Sequence, residues 1–180
     1  MSVMAYYTTF PIWNASGKKN EILDASGVSI GFIQRTYKNT LDKPIHYSPI
    51  PISFLETVNI DGENCGNQLK IREQSFKSNL TKLKWDVFLN QGADSENKFL
   101  LLDKTKISTN PRMIYFKNNR EYVFKKDLLN PLCKISIGDE ICATIKVEKK
   151  VPLTVKTVMN RDDLTIVELL GIYYVICLAY

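Results

Sequence analysis

Chemistry in this chain of 180 residues would have to rest on very few side chains. His46 is the sole histidine. A Ser-His-Asp or Cys-His arrangement, in which an imidazole takes the proton of the attacking hydroxyl or thiol, would have to use it. It lies between Pro44 and Pro49, in a stretch that reads as loop, where an ordinary solvent-facing histidine is the expectation. Cys65, Cys133, Cys142 and Cys177 contain no C-x-x-C pair, so a structural zinc site is not expected. Cys133 and Cys142 flank Gly138-Asp139. In a simple hairpin register they are diagonal neighbours about 7–8 Å apart, beyond disulfide reach. Cys177 stands in an apolar segment, where a thiol behaves as a small hydrophobe. The carboxylates are scattered, and Asp162-Asp163 sits where helix capping is the natural role. No G-x-x-x-x-G-K-[ST] loop occurs, and Gly27 and Gly31 belong to a strand pattern. The expectation is a non-enzymatic chain without catalytic residues, metal or cofactor, with a hydrolase built on a pocket around His46 as the alternative.

Charge offers more. The net charge is +5. Residues 98–150 hold twelve Lys and Arg against six Asp and Glu, whereas residues 1–90 hold ten against eight. The excess in the second half points weakly to an acidic partner. Residues two apart on a strand share a face. Lys70/Arg72, Lys82/Lys84 and Lys104/Lys106 therefore form the expected surface for an anionic ligand, although the wet face of any barrel carries such pairs. Tyr115, Phe116, Tyr122 and Phe124 interleave with basic residues between Arg112 and Lys126, as in a platform for single-stranded nucleic acid. A charge of +5 falls short of a nucleic-acid footprint, so these aromatics are expected to be wall packing.

The elements that position these residues alternate with period two. Strands are expected at 5–10, 21–24, 28–37, 54–60, 68–76, 82–89, 99–104, 112–117, 121–126, 133–137, 140–149 and 153–159. Asp61-Gly62, Asn118-Asn119 and Gly138-Asp139 supply hairpin turns. Residues 92–97 read as a loop, and 38–51 as a long connection. Ile141, Ala143, Ile145 and Val147 are expected on one face. No composition break divides the chain, which reads as one domain over 1–180.

The last sixteen residues, from Thr165 to Tyr180, carry one charged side chain, Glu168. Thr165 and Glu168 match the capping box S/T-x-x-E, with Leu164 and Leu169 placed as a hydrophobic staple. A helix is expected over 166–179, about 21 Å long. That is short for a membrane span, which needs about 20 apolar residues. About twelve strands at 4.8 Å spacing and 40° tilt close into a cylinder of roughly 12 Å radius, a hole one helix can fill. Ile166, Leu169, Leu170, Gly171, Tyr173, Tyr174 and Ile176 are the expected core face, with Gly171 allowing close approach of a strand. The predicted fold is mainly β: a closed antiparallel barrel of about twelve strands around a hydrophobic C-terminal helix. The chain opens without a basic n-region or apolar h-region, so a reduced, cytoplasmic setting is expected.

The segments G-V-S-I-G-F-I-Q-R-T-Y-K-N (27–39), F-L-L-L-D-K-T-K-I-S-T-N-P-R (99–112), R-E-Y-V-F-K-K-D (120–127) and T-I-V-E-L-L-G-I-Y-Y (165–174) resemble the tubby C-terminal-domain-like superfamily. That group includes LURP-one-related proteins and phospholipid scramblases, and the likeness is closest to small bacterial members. The resemblance implies a barrel threaded by its helix. It also implies a binding role toward anionic lipid headgroups or a membrane surface, as in the tubby branch, or toward a protein partner. The calcium and palmitoylation features of scramblases have no counterpart here.

Overall fold

Alternating strands joined by tight turns must bury one face, and this chain does so by closing on itself. The computed structural model describes residues 4–11, 16–37, 57–75, 82–92, 96–127 and 130–180. The strands are β1 (Met4–Phe10), β2 (Asn20–Leu23), β3 (Ser29–Thr36), β4 (Asn59–Asn64), β5 (Asn67–Glu73) and β6 (Lys84–Gln91). They continue as β7 (Glu96–Asp103), β8 (Arg112–Lys117), β9 (Arg120–Lys126), β10 (Leu132–Ile137), β11 (Glu140–Lys150) and β12 (Leu153–Met159), before helix α1 (Ile166–Ala179). Each strand pairs with its sequence neighbours, and β12 pairs with β1 to close the barrel. That closing ladder is antiparallel and runs from Met4 opposite Met159 to Phe10 opposite Leu153, leaving no long open edge there.

Up-and-down connectivity gives the barrel two unlike ends. Tight turns gather at the end where α1 enters, among them Asn118-Asn119 with φ of 51° and 60° and Gly138 with φ of 54°. The longer connections between β1 and β2, β3 and β4, β5 and β6, and β7 and β8 all lie at the exit end.

Helix α1 occupies the barrel axis. Both halves of the capping box form: the Thr165 side chain accepts from the Glu168 amide, and the Glu168 carboxylate accepts from the Thr165 amide at 2.8 Å. Ile166, Leu169, Leu170, Gly171, Tyr173, Tyr174 and Ile176 are all buried, with apolar residues on every side of the helix. That all-round burial is what an all-round apolar helix requires. Phe10 stacks on Tyr174 with ring centroids 4.5 Å apart. Its backbone runs nearest β4, β5 and β3, because glycine stands on both sides of the contact. A Cβ on Gly171 would collide with Leu69 Cδ2, and one on Gly62 would lie 2.6 Å from Val167 Cγ2.

Four sequence expectations need correction. Asp61-Gly62 is not a turn: Gly62 lies within β4 facing α1, and the chain turns at Cys65-Gly66, with φ of 46° and 82°. Residues 92–97 are not all loop, since β7 begins at Glu96. Ile141 does not share the inner face with Ala143 and Ile145. A register shift between Ile135 and Ser136 turns it outward, 40% exposed, and buries Cys142 instead. The same shift separates Cys142 from Cys133, which lies opposite Ile145, so the two are not diagonal neighbours. All four thiols are free. Burial pushes those of Cys133 and Cys177 up to about 12, which keeps them protonated and inert. His46 and the whole of the 38–51 connection lie outside the described residues.

Candidate anion-binding surface

Charge is distributed unequally along the barrel axis. At the entry end the exposed side chains include Glu63, Glu96, Glu121, Asp139, Glu140 and Asp162. Most cations there are already paired. Lys98 meets Asp86 at 2.9 Å, Arg161 meets Glu140 at 2.6 Å, and Arg120 meets Asp163 at 3.4 Å.

The exit end is basic. Lys18 and Lys19 follow β1, Lys104 and Lys106 follow β7, and Lys149 and Lys150 finish β11, all exposed. The basic region continues down the outer wall of β8 to β12. On this outer face three pairs of cations stand directly opposite one another, Arg112 with Lys125, Lys125 with Lys134, and Lys146 with Lys156, while a fourth opposed pair, Lys117 with Arg120, closes the β8–β9 turn at the entry end. Lys134 faces Thr144, two residues from Lys146, which joins the two groups. Like charges directly opposite on a sheet face destabilise it. Relief is partial. Arg112 pairs with Asp127 at 2.6 Å and Lys146 with Glu148 at 3.3 Å, while Lys156 sits 5.7 Å from the Tyr7 ring centre. Among the described residues, neither Lys125 nor Lys134 has a carboxylate within ion-pair distance. These ammonium groups occupy open convex wall. A cleft of about 720 Å³ opens on the exit rim nearby, its lining including Phe10, Lys18, Lys19, Asn20, Glu21 and Pro152.

The six basic residues singled out from sequence divide into two sets. Lys70 and Arg72 lie mid-wall on β5, where each has an acidic partner: Glu96 at 3.4 Å for Lys70 and Asp61 for Arg72. Lys82, Lys84, Lys104 and Lys106 come together at the exit rim. The Asp103 amide donates to the Leu83 carbonyl at 3.0 Å, which sets Lys82 beside Lys104. Lys125, Lys134, Lys146, Lys149, Lys150 and Lys156 were missed as individuals; the basic excess over 98–150 is the only sequence signal for the first five, and Lys156 lies outside it.

Sequence reasoning also missed a buried ionic cluster at the entry end. Lys117 is the last residue of β8 and shares its inward face with Met113 and Tyr115. Its ammonium lies 2.9 Å from Glu168 Oε1 and donates to Oε2 at 3.0 Å. The Tyr115 hydroxyl donates to Oε1 at 2.8 Å. Burial, followed by the Glu168 charge, drives the Tyr115 phenol far above its ordinary range, so it remains a donor. Strict alternation from Met113 would have exposed Lys117 as inward-facing. The cluster ties helix to wall, and nothing about it provides a binding site.

No helix among the described residues is long and apolar enough to cross a membrane. Comparison with curated proteins and with solved structures returns no match. The family model for the Tubby C-terminal like domain matches residues 6–180. With the helix-threaded twelve-strand barrel over the same span, the chain belongs to the Tubby C-terminal like domain family.

Proposed function

We propose that this protein is a non-enzymatic cytoplasmic binding module that docks on anionic lipid headgroups at a membrane surface through its basic exit end and the adjoining β8–β12 wall. The carrying observation is the set of three directly opposed cation pairs on one outer face. Such an arrangement costs folding stability, and a dense array of external negative charge offsets that cost. The helix dipole does not account for it. Its negative end also lies at the exit end, but a dipole acts within about one turn of the helix terminus. Lys134, Lys146 and Lys156 sit on the outside of the wall.

An open, convex set of lysines suits an extended charged plane better than a single small molecule, for which an enclosing pocket is the rule. Each lysine near an anionic bilayer contributes about 1 kcal/mol, and the attraction fades over a Debye length of about 8–10 Å at physiological ionic strength. The tubby branch of the resemblance supports the same reading. Flotation with vesicles of neutral lipid, with and without an acidic component, tests it. Recovery with acidic vesicles that falls as salt rises is the expected result. Recovery independent of acidic lipid, or none at all, overturns the proposal and leaves a protein partner as the better reading.

A further inference from the structure

Exposed large apolar side chains occur at both ends of the barrel, in opposite electrostatic settings. Met4, Val28 and Ile141, at the entry end, are 48%, 58% and 40% exposed. Val28 closes the turn held by the Asp24 carboxylate, and Ile141 follows Glu140. Ile107 and Val151, at the exit end, are 61% and 64% exposed. Each directly follows an exposed lysine, Lys106 and Lys150. Ile107 lies in the connection from β7 to β8, and Val151 in the connection from β11 to β12. Four strands in a ring of twelve separate these two connections. On a cylinder of roughly 12 Å radius that places them roughly 20 Å apart in a straight line across the exit rim.

We propose, building on the lipid-surface reading above, that Ile107 and Val151 are two apolar prongs that enter the interfacial layer of an anionic bilayer, fixing the barrel with its exit rim toward the lipid. Charge complementarity selects the occupant. A lysine beside an apolar tip lets the tip enter the headgroup region while the ammonium stays at phosphate level. Val28 and Ile141 meet an anionic surface behind carboxylates, which it repels. Nucleic acid is the other extended polyanion, but it offers no apolar layer to an isoleucine or a valine. The prongs are therefore a device for lipid.

The test places single tryptophans at Ile107→Trp, Val151→Trp and, at the opposite end, Ile141→Trp. Quenching by acyl-chain-brominated acidic vesicles is read as the increment over the unmodified protein, which contributes Trp13 and Trp85. Strong added quenching at 107 and 151 but none at 141 is expected. Vesicle-bound protein with no added quenching at 107 and 151, or with equal quenching at 141, overturns the prongs while the lipid-surface reading stands. Failure of the unmodified protein to float removes both. A second variant, Ile107→Ser with Val151→Ser, keeps the charge. It should lose roughly tenfold in vesicle affinity. An unchanged vesicle affinity overturns the prongs.

Discussion

Ending the chain after Asp163 is expected to abolish folding. The truncated protein should show no cooperative thermal transition and should expose its apolar surface to a dye such as ANS. Nine large apolar side chains of α1, from Ile166 to Ile176, are buried inside the barrel. At about 1.5–3 kcal/mol each, their gross contribution is on the order of 14–27 kcal/mol. The net stability of a whole domain is about 5–15 kcal/mol. Removal also strips the inner faces of Leu69, Ile71 and Ile33, which pack around Gly171, and strands Lys117 without its carboxylate. A barrel of this width cannot collapse onto the vacancy, because its circumference is set by the closed ladder. A soluble truncated chain with a sharp melt, as expected on cutting off a membrane tail, would refute the plug.

The second large effect concerns Lys117. Replacement by Met is expected to destabilise the protein by about 3–5 kcal/mol, because it leaves the fully buried Glu168 carboxylate without its ammonium. Tyr115 and Thr165 still donate to that carboxylate, which places the loss within this range rather than beyond it. Combining Lys117→Met with Glu168→Gln should recover most of the stability. Gln preserves the capping box, and a neutral pair costs far less to bury than one orphaned charge. Urea denaturation of both single variants and the double variant gives the coupling directly. Additive losses would show that Lys117 and Glu168 do not act as a unit.

These two sites show what the sequence could and could not disclose. The helix was readable because a capping box and an unbroken apolar run agree on where it lies. Lys117 was readable in principle, since Met113, Tyr115 and Lys117 keep strict alternation, but a lysine at a strand end is ordinarily taken as solvated. The β4–β5 turn was misread for a tertiary reason. Asp61-Gly62 has good hairpin chemistry, yet Gly62 is needed where Val167 leaves no room for a side chain, so the turn moves to Cys65-Gly66. The bulge that turns Ile141 outward leaves no trace in composition. The basic wall was hidden by register. Lys125 and Lys134, or Lys146 and Lys156, become neighbours only once turn and bulge lengths fix which residues face each other. Local pairs such as Lys70 and Arg72 were visible because they stand two apart on one strand, and both turn out to be held by carboxylates.

The claim that binding depends on where the charge lies, rather than on how much there is, has a direct test. Two double variants remove the same net charge: Lys125→Gln with Lys149→Gln from the basic region, and Lys98→Gln with Arg120→Gln from the entry end. Their affinities for vesicles containing acidic lipid are compared at one ionic strength, after circular dichroism shows both to be folded. At about 1 kcal/mol per lysine, the first pair should lose roughly 30-fold and the second should bind nearly as the parent does. Equal losses from both variants, or a larger loss from the entry-end pair, would contradict docking through the basic end.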